Sequence, residues 1–194
     1  MTIAGLNRGM SAKPALRKVV REKIGRLTPQ KIAEKSMRIC EVITELPEWK
    51  NARVVCLFAP LPGEPDVELL KFEGRKICYP RVNGTELDLY YVEDPLKMEA
   101  SKWGIREPRA DGNNAADHRE IDLILVPGIA FSSSGGRLGR GAGFYDRLLA
   151  RQGWRARKIG VGFGCQMVSD LPVEAHDHEL DGVVTESGWN GVKG

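Results

Sequence analysis

The sequence contains no apolar run approaching the ~20 residues that a membrane-crossing helix needs, so no such helix is expected. Cysteine is scarce. Cys40, Cys56, Cys78 and Cys165 are scattered, none forms a Cys-x-x-Cys pair, and none has a closely spaced histidine. This argues against a zinc site or a disulfide framework and suits a reducing compartment. Charge of one sign is also missing. With 29 Lys+Arg against 26 Asp+Glu the net charge is +3, too even for a general nucleic-acid binder, while 42% apolar residues is too many for a chain that stays disordered. The opening stretch MTIAGLNRGMSAKP lacks the apolar core of a secretory leader, and no repeat period or long low-complexity tract is present. The expectation is a cytoplasmic protein forming one domain over residues 1–194, monomeric, with no membrane, nucleic-acid or protein partner.

What is present is punctuation that separates helical from extended patterns. Leu16, Val19, Val20 and Ile24 recur at helical spacing in a basic segment that Gly25 can stop. Thr28-Pro29 reads as a cap and first-turn proline, followed by the stripe Ile32, Ile39, Ile43 and Leu46, with Pro47 ending it. Arg53 to Phe58 is a short continuous apolar run, as a buried strand requires. After the loop Pro60-Leu-Pro-Gly-Glu-Pro65, Asp66 can cap a short helix through Leu69, Leu70 and Phe72. Lys76 to Tyr79 and Glu86 to Val92 read as strands around an Asn83-Gly84 turn, and residues 93–120 read as irregular. Ile121 to Val126 is the clearest buried strand, and Phe144 to Arg151 reads as a helix. Lys158 to Phe163 and Val183 to Thr185 read as the last two strands. The alternation predicts an α/β fold of three layers, with a largely parallel sheet flanked by helices. Ligands of such sheets bind beyond the carboxyl ends of strands, here the loops after Phe58 and Val126.

The second of those loops is the most informative phrase in the chain. It runs Val126-Pro-Gly-Ile-Ala-Phe131-Ser-Ser-Ser-Gly-Gly-Arg137-Leu-Gly-Arg140-Gly-Ala-Gly143-Phe-Tyr-Asp146-Arg147. Clustered glycines expose bare N–H groups, the following helix adds its N-terminal donors, and Arg137 and Arg140 can grip phosphate oxygens in pairs. Asp146 is a carboxylate where Mg²⁺ bridging phosphates would need one. The phrase is not a Walker A loop. It also fails the dinucleotide fingerprint, because Phe144 stands where its third glycine belongs. Its spacing favours a phosphate site over a flexible connection with solvated arginines.

This phrase, from Leu125-Val-Pro-Gly-Ile-Ala-Phe131 through Gly143-Phe-Tyr-Asp146-Arg147, resembles the signature of the 5-formyltetrahydrofolate cyclo-ligase (5,10-methenyltetrahydrofolate synthetase) family. Further resemblances occur in order along the chain: Lys13-x-x-x-Arg17, Gly63-Glu64-x-Asp66, Trp103-Gly-Ile-x-Glu-Pro108, Glu174-Ala-His-Asp177 and Val183-Val-Thr-Glu186. Two positions depart from the family pattern: Ser132 replaces an Asp, which puts one loop contact in question, and Phe144 replaces the first of two tyrosines.

The resemblance implies an ATP- and Mg²⁺-dependent ligase that cyclises 5-formyltetrahydrofolate to 5,10-methenyltetrahydrofolate through an imidoyl phosphate, releasing ADP and phosphate. It implies that Lys13, Arg17 and Arg140 act on the transferring phosphoryl group. ATP would be held by Lys13, Arg17, Arg137, Leu138, Gly139, Arg140, Gly141, Ala142, Gly143, Phe144 and Tyr145. Phe58, Ala59, Glu64, Trp103, Arg140, Gly141, Gly143 and Phe144 would form the folate side, with Glu64 accepting from pterin N–H groups. Asp146 and Asp177 would hold the metal. A paralogue with another substrate, or a nucleotide- or RNA-binding module on the same fold, are the alternatives; the intact set of Lys13, Arg17, Glu64, Asp146 and Asp177 favours catalysis.

Overall fold

The computed structural model describes residues 12–101, 104–172, 174 and 178–192. Helix α1 (Ala12–Gly25) is followed by α2 (Pro29–Glu45) and the short α3 (Pro47–Asn51). Strands β1 (Val54–Cys56), β2 (Lys76–Asn83) and β3 (Glu86–Tyr91) come next, then a small pair, β4 (Glu99–Ala100) and β5 (Arg106–Glu107). The second half contains β6 (Leu123–Pro127), the pair β7 (Ala130–Phe131) and β8 (Arg137–Leu138), α4 (Phe144–Ala150), and β9 (Arg157–Val161), β10 (Gly182–Thr185) and β11 (Gly188–Gly191).

Seven strands form the main sheet in the order β11-β10-β9-β6-β1-β2-β3. From β10 to β2 the neighbours pair in parallel, and β11 and β3 close the two edges antiparallel. Side-chain alternation splits the core into two faces. Val55, Leu57, Leu123, Leu125, Ile159, Val161 and Val184 pack with Ile39 and Ile43 of α2 and Trp49 of α3. Cys56, Ile124, Val126 and Val183 face the other way, against Leu148 and Leu149 of α4. The expected three-layer α/β architecture is the one observed. Leu123 to Val126 are all fully buried, because a central parallel strand is covered on both faces.

Thr28 caps α2 as expected, accepting from the Lys31 N–H, with Pro29 in the first turn. Pro47 ends α2 and then opens α3, which the sequence does not announce; a proline that cannot continue one helix is well placed to start another. The hairpin turn lies at Gly84-Thr85, one residue later than expected, since Asn83 pairs with Glu86 and Gly84 takes a φ of +59°. The helix expected after Asp66 is a single 3₁₀ turn, Val67–Leu69, with Asp66 accepting from Glu68 N–H. Residues 93–120, read as irregular, contain the β4–β5 pair, which is held against β2. The last strand expected is followed by an unforeseen one, β11.

The glycine-arginine loop is itself partly extended, because β7 and β8 pair Ala130 with Leu138 and Phe131 with Arg137. Phe131 is fully buried and anchors this pair to the sheet, contributing roughly 1.5–3 kcal/mol by burial. Its ring fits only because Gly128, Gly160 and Gly162 surround it: a Cβ there would come within 2.7, 2.8 and 2.7 Å of ring carbons. Helix α1 packs through Leu16 and Val20 onto Ile129, Ala130 and Leu138 of the same loop, placing its basic face beside the glycines.

Candidate active site

Residues 137–146 separate two cavities at the carboxyl end of β1 and β6. On one side is an apolar pocket of about 320 Å³ between Phe58, Ala59 and Leu61, the β2–β3 hairpin, and β5. On the other is a smaller cleft of about 280 Å³ against Lys13, Pro14 and Arg17 of α1. Arg137, Gly139, Gly143 and Asp146 border both.

Arg17 donates from Nε to the Gly139 carbonyl at 2.9 Å, tying α1 to the loop, and Lys13 lies 3.2 Å from the Glu174 carboxylate. Gly141 has a φ of +115°, a conformation closed to side chains, and faces the Arg17 guanidinium. Gly143 (φ +71°) begins α4, and a Cβ there would meet the Arg147 guanidinium at 2.6 Å. Arg137 is almost fully buried and ion-paired with Asp146, and its guanidinium donates to the Pro127 carbonyl at 3.3 Å. Its Nε is buried with no hydrogen-bond partner among the described residues. Burial pushes the Tyr145 phenol well above its ordinary range, so it stays a neutral hydroxyl.

Arg140 leans the opposite way. Its Nε and a terminal nitrogen donate to one oxygen of Glu64, at 3.0 and 2.7 Å, while the other Glu64 oxygen accepts from Leu61 N–H at 3.0 Å. Glu64 is only 8% exposed, and such a charge is tolerable because both of its oxygens are bonded.

The cleft fits a polyphosphate: it has cationic Lys13 and Arg17, and Gly139 and Gly143, where a side chain would crowd the neighbouring arginines. Among the described residues no three His, Cys, Asp or Glu side chains group as a metal cage. Two carboxylates border the cleft, Glu174, which is paired with Lys13, and Asp146. That is the donor set of a Mg²⁺ held mainly by phosphate oxygens rather than by protein alone.

A sequence profile described as the 5-formyltetrahydrofolate cyclo-ligase family matches residues 9–186. The chain belongs to the 5-formyltetrahydrofolate cyclo-ligase family. It is 32% identical over 179 residues to the 5-formyltetrahydrofolate cyclo-ligase of Escherichia coli strain K12, covering 87% of this chain and 97% of that one. It is 30% identical over 192 residues to the probable 5-formyltetrahydrofolate cyclo-ligase of Schizosaccharomyces pombe, covering 89% and 94%. The NMR structure of Aquifex aeolicus 5,10-methenyltetrahydrofolate synthetase superimposes with a TM-score of 0.83 at 33% identity, over 95% of this chain and 94% of that one.

Within this cyclo-ligase fold the residues singled out in the sequence divide between the two cavities. Lys13, Arg17, Leu138 and Gly141 line the cleft, whereas Phe58, Ala59, Glu64, Arg140, Ala142, Phe144 and Tyr145 line the pocket. Trp103 and Asp177 lie outside the described residues. Ser132, which departs from the family pattern, is bonded within the loop. It is 5% exposed, its hydroxyl accepts from Gly136 N–H at 3.0 Å and bonds the Ser134 hydroxyl at 2.8 Å. Phe144 keeps a ring, with the Arg147 guanidinium 5.4 Å from its centroid. The sequence reading missed the pocket's far wall, namely Pro80, Val82 and Leu87 of the hairpin with Ile105, Arg106 and Glu107. The signal for part of it was present in the Gly-Ile-Arg-Glu-Pro phrase, read only as a family match. No helix among the described residues is long and apolar enough to cross a membrane.

Proposed function

We propose that this protein is an ATP-dependent ligase that cyclises 5-formyltetrahydrofolate to 5,10-methenyltetrahydrofolate, with ADP and phosphate as the other products. The observation that carries the reading is an apolar pocket and a glycine-rich basic cleft meeting across one loop. One cavity suits a heteroaromatic ring, the other a polyphosphate, and the shared border is where a group would pass between them.

The chemical obstacle is the formamide oxygen, a very poor leaving group. Mg-ATP supplies the remedy by phosphorylating that oxygen, and the imidoyl phosphate so formed lets N10 of the folate attack and close the five-membered ring. The protein's part is positioning and charge stabilisation. Lys13, Arg17 and the backbone N–H groups of residues 139–143 hold the phosphates. Asp146 offers a metal ligand, and loading the metal would require it to loosen from Arg137, whose freed guanidinium would face the same cleft. Arg140, fixed by Glu64, presents positive charge at the border where negative charge redistributes in the transition state. The apolar walls exclude water, which would otherwise hydrolyse the activated formyl group.

The deciding assay mixes the purified protein with 5-formyltetrahydrofolate and Mg-ATP and follows the methenyl chromophore together with ADP. The expected result is one ADP per methenyl product, with no turnover when the divalent cation is chelated. ATP hydrolysis without cyclisation, or an unchanged folate, overturns the proposal.

A further inference from the structure

Strand β5 supplies part of the pocket's far wall on little support of its own. It is two residues long, pairs with the equally short β4 outside the main sheet, and joins neither face of the core. Among the described residues, two arginines fasten this segment to the rest of the fold. Arg81 of β2 donates to the Pro108 carbonyl at 2.7 Å. Arg106 is ion-paired with Glu68, and the same guanidinium donates to the Pro95 carbonyl at 3.3 Å.

Glu68 is a firm anchor. It sits in the 3₁₀ turn Val67–Leu69, whose flanks are fixed: Ser36 of α2 accepts from Asp66 N–H at 3.0 Å, and Val67 and Leu70 are buried in the core. Its side chain is 17% exposed, against 36% for Arg106, and it is absent from the pocket's lining. One carboxylate oxygen meets Arg106. The other is buried with no hydrogen-bond partner among the described residues, as is the hydroxyl of the fully buried Tyr79. Burial, and then the Glu68 charge, push the Tyr79 phenol far above its ordinary range, so it stays a neutral hydroxyl beside the carboxylate. A carboxylate set between a neutral hydroxyl and a guanidinium has little reason to rotate, and this holds Arg106 in turn.

We propose that Glu68 is a positioning residue for the ligase reaction: by holding Arg106 it sets where β5 stands, and so how closely that wall meets the substrate; this deepens the ligase reading above and rests on it. Glu68 touches no ligand itself. It is the support that keeps a binding wall in place. Such a wall contacts the substrate before and during the reaction alike, so displacing it should raise KM and spare kcat.

The test is steady-state cyclisation of 5-formyltetrahydrofolate with Mg-ATP by wild type, Glu68→Gln, Arg106→Met and the double variant, each well below its melting temperature. Glu68→Gln should raise KM for 5-formyltetrahydrofolate about tenfold, while kcat and KM for ATP stay within about twofold. Arg106→Met should raise the same KM, and the double variant should raise it no further than the larger single effect, because both break one link. If Glu68→Gln fails to fold, Arg106→Lys takes its place: Lys can keep the pair and should restore most of the KM lost in Arg106→Met. A lower melting temperature with KM unmoved marks a merely structural pair and overturns the proposal. So do single effects that multiply in the double variant, or equal KM values for Arg106→Lys and Arg106→Met. Wild-type protein that forms no methenyl product overturns the ligase reading, and this assignment falls with it.

Discussion

The pocket beside Phe58 and the cleft beside Arg17 share one loop as their common wall, yet they handle charge in opposite ways. On the pocket side, Arg140 and Glu64 neutralise one another beside walls that are mostly apolar. On the cleft side, the sequence contributes short-range cations on a helix and glycines that bare the backbone. The difference teaches how one loop of L-residues can border two unlike cavities. Alternate side chains lean to opposite sides, so Arg140 and Ala142 reach the pocket while Gly139 and Gly141 leave room toward Arg17. The glycines provide the cleft's space, and the intervening side chains build the pocket's wall.

If the division is sound, substitutions on the two sides should separate in ligand affinity. The largest effect is expected from Glu64→Gln. It keeps the volume but replaces the anion that fixes Arg140, a charge-assisted contact worth roughly 1.5–3 kcal/mol. Binding of 5-formyltetrahydrofolate should weaken by about ten- to over a hundredfold, with ATP affinity in the absence of folate hardly changed. Calorimetry in which ATP suffers more than folate would break the comparison.

Arg17→Ala should show the mirror image. Losing the guanidinium removes a phosphate donor and the tie to Gly139, so ATP should bind about tenfold more weakly and turnover should fall further than affinity. Folate affinity measured alone should stay within about twofold, since the tie to Gly139 lies across the loop from the pocket. A folate defect larger than the ATP defect would show that α1 shapes the pocket after all.

The smallest effect should come from a pair bordering neither cavity. Burial works against ionisation of Glu186, but its ion pair with Lys35 and the bond from Gly164 N–H, at 2.7 Å, outweigh it and hold the carboxyl below its ordinary value. A depressed folded pKa means the stabilisation is present above the unfolded value, near 4.5, and is lost as pH falls through the folded value. Melting temperature should therefore decline on acidification more steeply in wild type than in Glu186→Gln, by an amount equivalent to less than about 1 kcal/mol. Both ligand affinities at neutral pH should be the same in the two proteins. An unchanged acid limb would show that the Lys35 pair contributes nothing to folding.

Local chemistry was enough to read α2, because Thr28, Pro29 and the Ile39–Ile43 stripe carry cap, start and buried face within seventeen residues. The strands β6 and β9 were legible for a similar reason: burial on both faces leaves an apolar run with no competing pattern. The Gly-Arg phrase likewise marked residues 137–146 as the candidate site, and the structure places them between the two cavities. The sequence did not disclose the β7–β8 pairing inside that loop, which depends on Phe131 finding Gly160 of β9 and the glycines that follow β6 and β9. It did not disclose β11 either, an edge strand whose partner, β10, supplies most of the reason for its shape. The division of labour along residues 137–146 was equally out of reach. The sequence by itself set out the glycines, arginines and carboxylates that are candidates for a phosphate site. Only the tertiary structure decided that Glu64 turns to Arg140 and that Asp146 turns to Arg137, because ion pairing depends on distances that segments far apart in sequence acquire only when packed together.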